Sequence, residues 1–167
     1  MISANLNHTV CAGSISSWNN HLTRCANASC TCSARGAKDH IEADLAQLFR
    51  RVAFNVAIGN RDDHLRNHGF LLTPTGWRLA PAFDLNPNTE RADHVLNIDE
   101  SDNRPSLGTV IDTSEWYVGS KDRGRAIVTE VLHQTRKWRQ AAHALKIARA
   151  DIELTATAFA ESDIARR

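Results

Sequence analysis

The sequence of 167 residues contains no run of 18 apolar residues, and its N-terminus has no charged region followed by an apolar stretch. A membrane-spanning helix requires about 20 mostly apolar residues, and a secretory signal requires a charged and then an apolar part. These absences argue against a membrane-inserted or exported protein. We therefore predict a cytoplasmic protein that does not associate with membranes.

An excess of either charge is also lacking. Lys and Arg total 20 and Asp and Glu total 19, which gives a net charge of +1. Binding to nucleic acid or to an acidic membrane surface is commonly supported by a strongly basic sequence or patch. The charge balance therefore predicts no direct binding to nucleic acid.

Cysteine is absent from most of the chain, because all four cysteines lie in its first fifth, at Cys11, Cys25, Cys30 and Cys32. The last three are separated by four residues and then by one, which fits poorly with the paired Cys-x2-Cys spacing of zinc sites. A disulfide framework requires an oxidising compartment, and a cytoplasmic protein lacks one. Four free thiols are the favoured interpretation.

The first 33 residues differ in composition from the rest of the chain. They are rich in Ser, Asn, Thr, Cys and Ala, and they show neither a helical nor an alternating apolar period. This pattern is typical of a poorly ordered leader, and it also fits foreign sequence joined to a shortened gene. We predict a boundary near Ala34, followed by one domain over residues 34–167.

A helix is predicted from Asp44 to the residue before Gly59, because apolar residues recur there at steps of three and four. Gly59 is expected to end the helix, since glycine accepts a left-handed turn without a Cβ clash. Residues 60–67 would then form a polar loop that starts from a rigid helix. The apolar stripe consists of Leu45, Leu48, Phe49, Val52, Ala53 and Val56.

Further along the chain, residues 69–72 and 77–79 predict a β-hairpin around the turn Thr-Pro-Thr-Gly. Residues 80–87 contain two prolines and are expected to be irregular. Residues 94–98 fit a strand, and the rest of 88–119 fits loop with short helical turns. One long helix is predicted from Ser120 through Leu145, with Trp138 on its apolar face, and a last helix near Asp151. The fold class is α+β, mainly helical.

Three polar residues have the order and spacing of a phosphoryl-transfer site. Asp62 and Asn67 stand five residues apart in the predicted loop, and Asp84 follows beyond the predicted hairpin. Phosphoryl transfer requires a carboxylate that accepts a proton from the attacking hydroxyl, together with oxygen ligands for magnesium. The kinase catalytic loop provides Asp-x4-Asn and then a magnesium-binding Asp. In kinases a His-Arg pair precedes the first Asp, and a Gly follows the magnesium-binding Asp. Here the His-Arg pair is absent, and Leu85 stands in place of the Gly.

Two motifs resemble the C-terminal domain of HipA-like proteins, with the similarity running from about residue 34 to Phe159. They are IGNRDDHLRNHGF, from Ile58, and WRLAPAFDLNP, from Trp77. HipA-like proteins are bacterial serine/threonine kinases and toxins of toxin-antitoxin pairs. The resemblance implies a protein-kinase-like C-terminal lobe in which the small hairpin lies beside the catalytic loop.

The resemblance also implies the roles of individual residues. Asp62 would be the catalytic base, and Asn67 and Asp84 would coordinate magnesium on ATP. Arg66 would help to bind the nucleotide, although the family often has Lys at this place, whose head group differs in geometry. The expected partners are a HipB-like DNA-binding antitoxin and a protein substrate.

A complete family member also has an N-terminal portion with a phosphate-covering loop and a lysine for the ATP phosphates. Residues 1–33 contain neither, and Gly13 and Gly36 form no glycine-rich run. We therefore expect a fragment whose ATP site is incomplete and which is inactive alone.

Two other functions fit the same residues. One is a metal-dependent phosphoesterase that uses Asp62, Asp63, His64 and Asp84 to hold two metals about 4 Å apart. The other is a non-catalytic remnant that binds the antitoxin. His64 and His68 could form a metal pair on a helix, but their place in a loop favours a structural or exposed role.

Overall fold

The computed structural model describes residues 40–100 and 102–160. Within these ranges the chain is mainly helical, with one two-stranded antiparallel sheet. The fold is therefore α+β and mainly helical, as the sequence predicts. The boundary predicted at Ala34 and the four cysteines lie outside the described residues, so these two interpretations stay predictions.

The first helix, α1 (Ile41–Ile58), has the predicted apolar stripe and forms the centre of the core. It starts three residues before Asp44 and ends at Gly59, whose φ of 66° is left-handed. Leu48, Phe49 and Ala53 are fully buried. The prediction of this helix and of its end is confirmed.

The hairpin consists of β1 (Phe70–Thr73) and β2 (Gly76–Leu79), with Phe70 opposite Leu79 and Thr73 opposite Gly76. Its turn is closed by Thr73, whose Oγ1 donates to the Gly76 carbonyl at 2.7 Å. The hairpin is confirmed; β1 is displaced by one residue from the predicted bounds, and β2 starts one residue earlier than predicted. Residues 80–87 have no regular structure, also as predicted.

Five further helices follow in the described residues, and the first three of them pack against α1. They are α2 (Leu107–Thr113), α3 (Glu115–Val118), α4 (Lys121–Thr135), α5 (Trp138–Ala144) and α6 (Arg149–Ala156). Val128, Val131 and Leu132 of α4 join the α1 side chains in one apolar cluster. Serine begins α2 and α4, where Ser106 Oγ and Ser120 Oγ accept from backbone N–H groups and so cap the helices. None of the described helices has the length and apolar character required to cross a bilayer.

The strand predicted at residues 94–98 is wrong. The segment does bury alternate side chains, since His94, Leu96 and Ile98 are 5%, 5% and 2% exposed. Its backbone, however, joins no sheet in the described residues: the Val95 N–H donates to the Arg61 carbonyl at 3.0 Å, and the Ile98 N–H donates to the Asp102 carbonyl at 2.7 Å. Alternate burial here therefore occurs in a segment without strand pairing.

The single long helix predicted from Ser120 is also wrong, because it is divided into α4 and α5 at residues 136–137. After the break, Trp138 stacks on Phe159 with ring centroids 4.3 Å apart. Leu145, which was expected on the buried face, is 75% exposed. The break thus accompanies a second apolar cluster, in which Phe159 and Ala158 of a 3-10 helix (Thr157–Phe159) pack against Ile58 of α1. The helix predicted near Asp151 is confirmed as α6.

Candidate functional site

The loop of residues 60–67 starts from a tightly fixed point at Gly59. The Gly59 N–H donates to the Val56 carbonyl at 3.2 Å, which closes the end of α1. A Cβ at Gly59 would lie 2.2 Å from the Ala158 carbonyl oxygen. Glycine is required here both by the left-handed backbone and by the close approach of another backbone segment. The loop therefore starts at a place held by the C-terminal part of the domain.

Asn60 joins the loop to the segment that carries Asp84. The Asn60 side chain is buried, and its Nδ2 donates to Asn55 Oδ1 and to the Asp84 backbone carbonyl, each at 3.2 Å. The Asn60 N–H also donates to the Asn55 carbonyl at 2.8 Å. The two predicted motifs are thus connected by a buried side chain that the sequence analysis did not assign to the site.

Asp62 exposes its carboxylate to solvent. Its side chain is 57% exposed and lies 3.5 Å from Arg91 Nη2. Its neighbour Arg61 anchors the loop, because the Arg61 guanidinium donates to the Arg91 carbonyl and the Arg61 carbonyl accepts from the Val95 N–H. The carboxylate is therefore accessible to an incoming hydroxyl group, while the backbone beside it is fixed.

Asn67 ends a short 3-10 helix (Leu65–Asn67), and its N–H donates to the His64 carbonyl at 2.8 Å. The Asn67 side chain is buried, and its Nδ2 has no hydrogen-bond partner among the described residues. Arg66, one residue earlier, is exposed. A buried amide without a partner is costly, so this position is one where a further ligand would be stabilising.

Asp84 adopts a left-handed backbone with φ of 57°, which is uncommon for a residue with a side chain. Its Oδ1 accepts from Asn86 Nδ2 at 2.8 Å, and the residue is exposed. Such backbone strain costs on the order of 1–3 kcal/mol and is concentrated at functional sites. The strain here is maintained by the Asn60 bond to the Asp84 carbonyl.

The hairpin that leads to Asp84 is attached to α1 by an ion pair. Asp44 is buried and accepts from Arg78 Nε and Nη2, each at 3.0 Å, and from the Leu79 N–H at 3.1 Å. The pKa of the Arg78 guanidinium is raised, mainly by its hydrogen bond to Asp44. This two-point contact fixes β2 relative to the helix.

Arg51 of α1 holds the chain just beyond the hairpin, where its guanidinium donates to the Ala80 carbonyl. Burial lowers the pKa of Arg51, while the nearby carboxylates of Asp44 and Asp63 act in the opposite direction. The Ala80 N–H donates to the Gly69 carbonyl at 2.9 Å, which brings the two ends of the hairpin together. The segment that carries Asp84 therefore leaves the hairpin at a defined place.

Asp63 is buried and hydrogen-bonded, unlike the metal ligand that the phosphoesterase alternative requires. It is 6% exposed and accepts from Asn55 Nδ2 at 2.7 Å and from His68 Nε2 at 3.0 Å. His68 gives Nε2 to Asp63, while its Nδ1 and that of His64 have no partner among the described residues. In the part of the chain that the structure describes, no three His, Cys, Asp or Glu side chains converge as a metal site.

Asn67 has an amide oxygen and Asp84 has carboxylate oxygens, and magnesium prefers oxygen ligands. The ion usually binds one or two protein carboxylates, and Asp84 would provide one. The exposed carboxylate of Asp84 fits such a role chemically, whereas the unpartnered atom of Asn67 is Nδ2, which requires a hydrogen-bond acceptor and not a cation. The structure joins Asp84 to the start of the loop through Asn60. The roles of Asp62, Arg66, Asn67 and Asp84 stay predictions.

Comparison with known proteins adds one finding. The family model of the HipA-like C-terminal domain matches residues 16–159. The chain belongs to this family. The HipA-like match includes the loop, the hairpin and the Asp84 segment in one continuous region. No curated protein was found to match the chain.

Asn55 and Asn60 support the HipA-like loop but were not predicted to do so, whereas His68, for which a structural or exposed role was favoured, has a structural contact with Asp63. One signal was present, since Asn55 interrupts the apolar face of α1 between Val52 and Val56. A polar residue on a buried helix face requires a hydrogen-bond partner, and here its partners are Asn60 and Asp63.

Proposed function

We propose that this chain provides the catalytic lobe of a HipA-family protein serine/threonine kinase, with a protein-kinase-like arrangement of its loop and hairpin. The observation that carries the proposal is the buried Asn60 side chain, which joins the Asp62-x4-Asn67 loop to the Asp84 carbonyl at 3.2 Å. Phosphoryl transfer depends on the relative positions of the base and the metal ligands, and a rigid connection between the two motifs maintains them.

In the proposed reaction, the exposed Asp62 carboxylate orients the substrate hydroxyl and accepts its proton. The hydroxyl oxygen forms a bond to the γ-phosphorus of ATP as the bond to the β–γ bridging oxygen breaks, and ADP leaves. Asn67 and Asp84 would hold magnesium, which neutralises charge on the phosphates when it is bound. Arg66, exposed beside Asn67, would contact a phosphate.

The proposed substrate is a serine or threonine of another protein, and the proposed partner is a HipB-like antitoxin, both by membership of the family. Residues 40–100 and 102–160 contain no glycine-rich run that could cover the phosphates. We therefore expect this chain alone to bind nucleotide weakly and to transfer no phosphoryl group.

The phosphoesterase alternative is less well supported. It requires Asp63 as a metal ligand, but Asp63 is buried and accepts hydrogen bonds from Asn55 and His68. A two-metal site would have to break these bonds, which makes this alternative energetically costly.

Calorimetric titration with ATP, with and without magnesium, tests the proposal. We expect weak binding that requires magnesium and that Asp84→Asn diminishes. The control is Asp112→Asn in α2, which changes an exposed acid that pairs with Lys121 at 2.7 Å. Equal binding by the two variants would contradict the proposed role of Asp84. Hydrolysis of p-nitrophenyl phosphate without ATP, abolished by Asp63→Asn, would favour the phosphoesterase.

A further inference from the structure

The carboxylate of Asp63 is a junction between α1 and the far end of the loop. Asn55, in the last turn of α1, donates to Oδ2 at 2.7 Å, and His68 Nε2 lies 3.0 Å from both carboxylate oxygens. The His68 side chain is 4% exposed and that of Asp63 is 8% exposed, so water does not screen these bonds. A carboxylate has about four acceptor sites, and these two donors leave capacity for another.

His94 approaches the same place from residues 91–100. It is 5% exposed, and its ring bonds to the backbone of Asn60. The other ring nitrogen, Nε2, is buried and has no partner among the described protein atoms. Burial, and then the charge of Arg61, lower the pKa of His94, so the ring is neutral near pH 7. A neutral ring that donates through Nδ1 to a carbonyl must accept at Nε2.

A small cavity of about 10 Å³ lies between His94 and Asp63. Its polar lining consists of Asn55, Asp63 and His94, and the rest is apolar. One water requires roughly 10–15 Å³ when volume is measured in this way, together with two to four polar partners. His94 Nε2 lacks a donor and the Asp63 carboxylate can accept one more hydrogen bond, while a water molecule has two protons to donate.

We propose that Asp63 is a positioning residue for the loop and that one buried water joins its carboxylate to His94 Nε2. The water donates one proton to each acceptor. Asp63 then holds together the end of α1, the loop end at His68 and the segment that contains His94. Asp62 and Asn67 lie between these fixed points, so the junction restricts their positions without contacting the reacting atoms. The positioning role, unlike the water site, rests on the function proposed above.

The first test concerns the intact wild-type chain. The ¹⁵N chemical shifts of the His94 ring distinguish the tautomer with its proton on Nδ1 from the one with its proton on Nε2. We expect the Nδ1 form, together with a water–protein nuclear Overhauser effect to the His94 ring. The Nε2–H form, or no such effect from water, would overturn the buried-water part of the proposal.

The second test changes the donor at position 68. His68→Phe removes the bond to Asp63, whereas His68→Gln keeps a donor of similar reach. We expect amide exchange of Asn67 and His68, whose N–H groups donate to the His64 and Leu65 carbonyls, to be accelerated on the order of tenfold when Phe stands at position 68, as one charge-assisted hydrogen bond is lost. The Gln variant should stay near the wild type. Equal acceleration in both variants, or none in either, would overturn the positioning role.

Metal titration separates this proposal from the function on which it rests. Manganese should broaden the Asn67 resonance less in His68→Phe than in His68→Gln at equal concentration. If manganese affects Asn67 in neither variant nor in the wild type, the proposed metal site fails, while the His94 tautomer and the exchange data still decide the structural role of Asp63. If Asn67 broadens equally in all three proteins, Asp63 does not position it.

Discussion

Replacing Gly59 with alanine tests whether the loop is fixed by the contact between the end of α1 and the 3-10 helix Thr157–Phe159. The new Cβ would lie 2.2 Å from the Ala158 oxygen and 2.9 Å from its carbonyl carbon. Both are backbone atoms, so no side-chain rotation can relieve the clash. Gly119 provides a matched control, because its φ of 76° is close to the 66° of Gly59 but its added Cβ would meet nothing within 4 Å.

The two substitutions share one cost and differ in another. A left-handed backbone costs alanine about 1–2 kcal/mol, and this applies to both positions. Overpacking against fixed atoms adds typically about 1–3 kcal/mol, and this applies to Gly59 alone. We therefore expect Gly119→Ala to lower the free energy of unfolding by about 1–2 kcal/mol and Gly59→Ala by about 2–5 kcal/mol.

Urea denaturation followed by far-UV circular dichroism measures both values. Tryptophan fluorescence gives a second observation, because relief of the clash must move Ala158 and with it Phe159, on which Trp138 stacks. With Trp18, Trp77 and Trp116 replaced by Phe, so that Trp138 is the single fluorophore, we expect a changed emission in Gly59→Ala and an unchanged one in Gly119→Ala. Equal losses of stability in the two variants would refute the close approach at Gly59.

Three further predictions concern charge and activity. The pKa of His94 lies below its usual 6.5 in the folded state, so the free energy of unfolding should fall as the pH decreases below about 6.5. Protonation of this one group can lower it by at most ~1.4 kcal/mol per pH unit. Urea denaturation from pH 7.5 to 5 should show a shallower acid slope in His94→Gln; an unchanged slope would contradict the prediction. Asp44→Ala leaves the Arg78 guanidinium and the Leu79 N–H without their acceptor, so urea denaturation should show a free energy of unfolding lower by about 2–4 kcal/mol. A decrease below ~1 kcal/mol would mean that the ion pair does not fix the hairpin. Labelled ATP should give no incorporation into the chain or general protein substrates, and robust incorporation abolished by Asp62→Ala would show that this chain suffices.

The elements with strong local signals were predictable from sequence. The apolar period of α1, its end at Gly59 and the Thr-Pro-Thr-Gly turn of the hairpin are all determined by neighbours within a few residues. The break between α4 and α5 was not predictable in this way, because the partner of Trp138 is Phe159, far along the chain. The alternation at residues 94–98 gave a false strand, since burial of alternate side chains does not specify which backbone groups pair.

The residues of the candidate site also differ in whether local sequence could predict them. Asp62, Asn67 and Asp84 were predicted from residue type and spacing, and their roles stay predictions. The burial of Asp63 could not be read from the pair Asp62-Asp63, because which of the two adjacent acids faces the core depends on where the loop packs. The role of Asn60 could not be predicted either, because its bond to the Asp84 carbonyl joins residues 24 positions apart. Side chains that support a site are specified by tertiary contacts, which local patterns do not record.

Manganese titration with NMR detection tests most directly whether Asn67 and Asp84 share a metal site. Magnesium sites with one protein carboxylate are weak without phosphate ligands, so we expect manganese to bind weakly. It should first broaden the NMR resonances of residues around Asn67 and Asp84, and this broadening should increase when ATP is added. Asp84→Asn should weaken this response more than Asp63→Asn. Broadening centred on His64 and His68 instead would contradict the account. So would a crystal structure in which Asp84 and Asn67 lie more than about 10 Å apart, because one ion with ligand bonds of about 2.1 Å cannot bridge that distance.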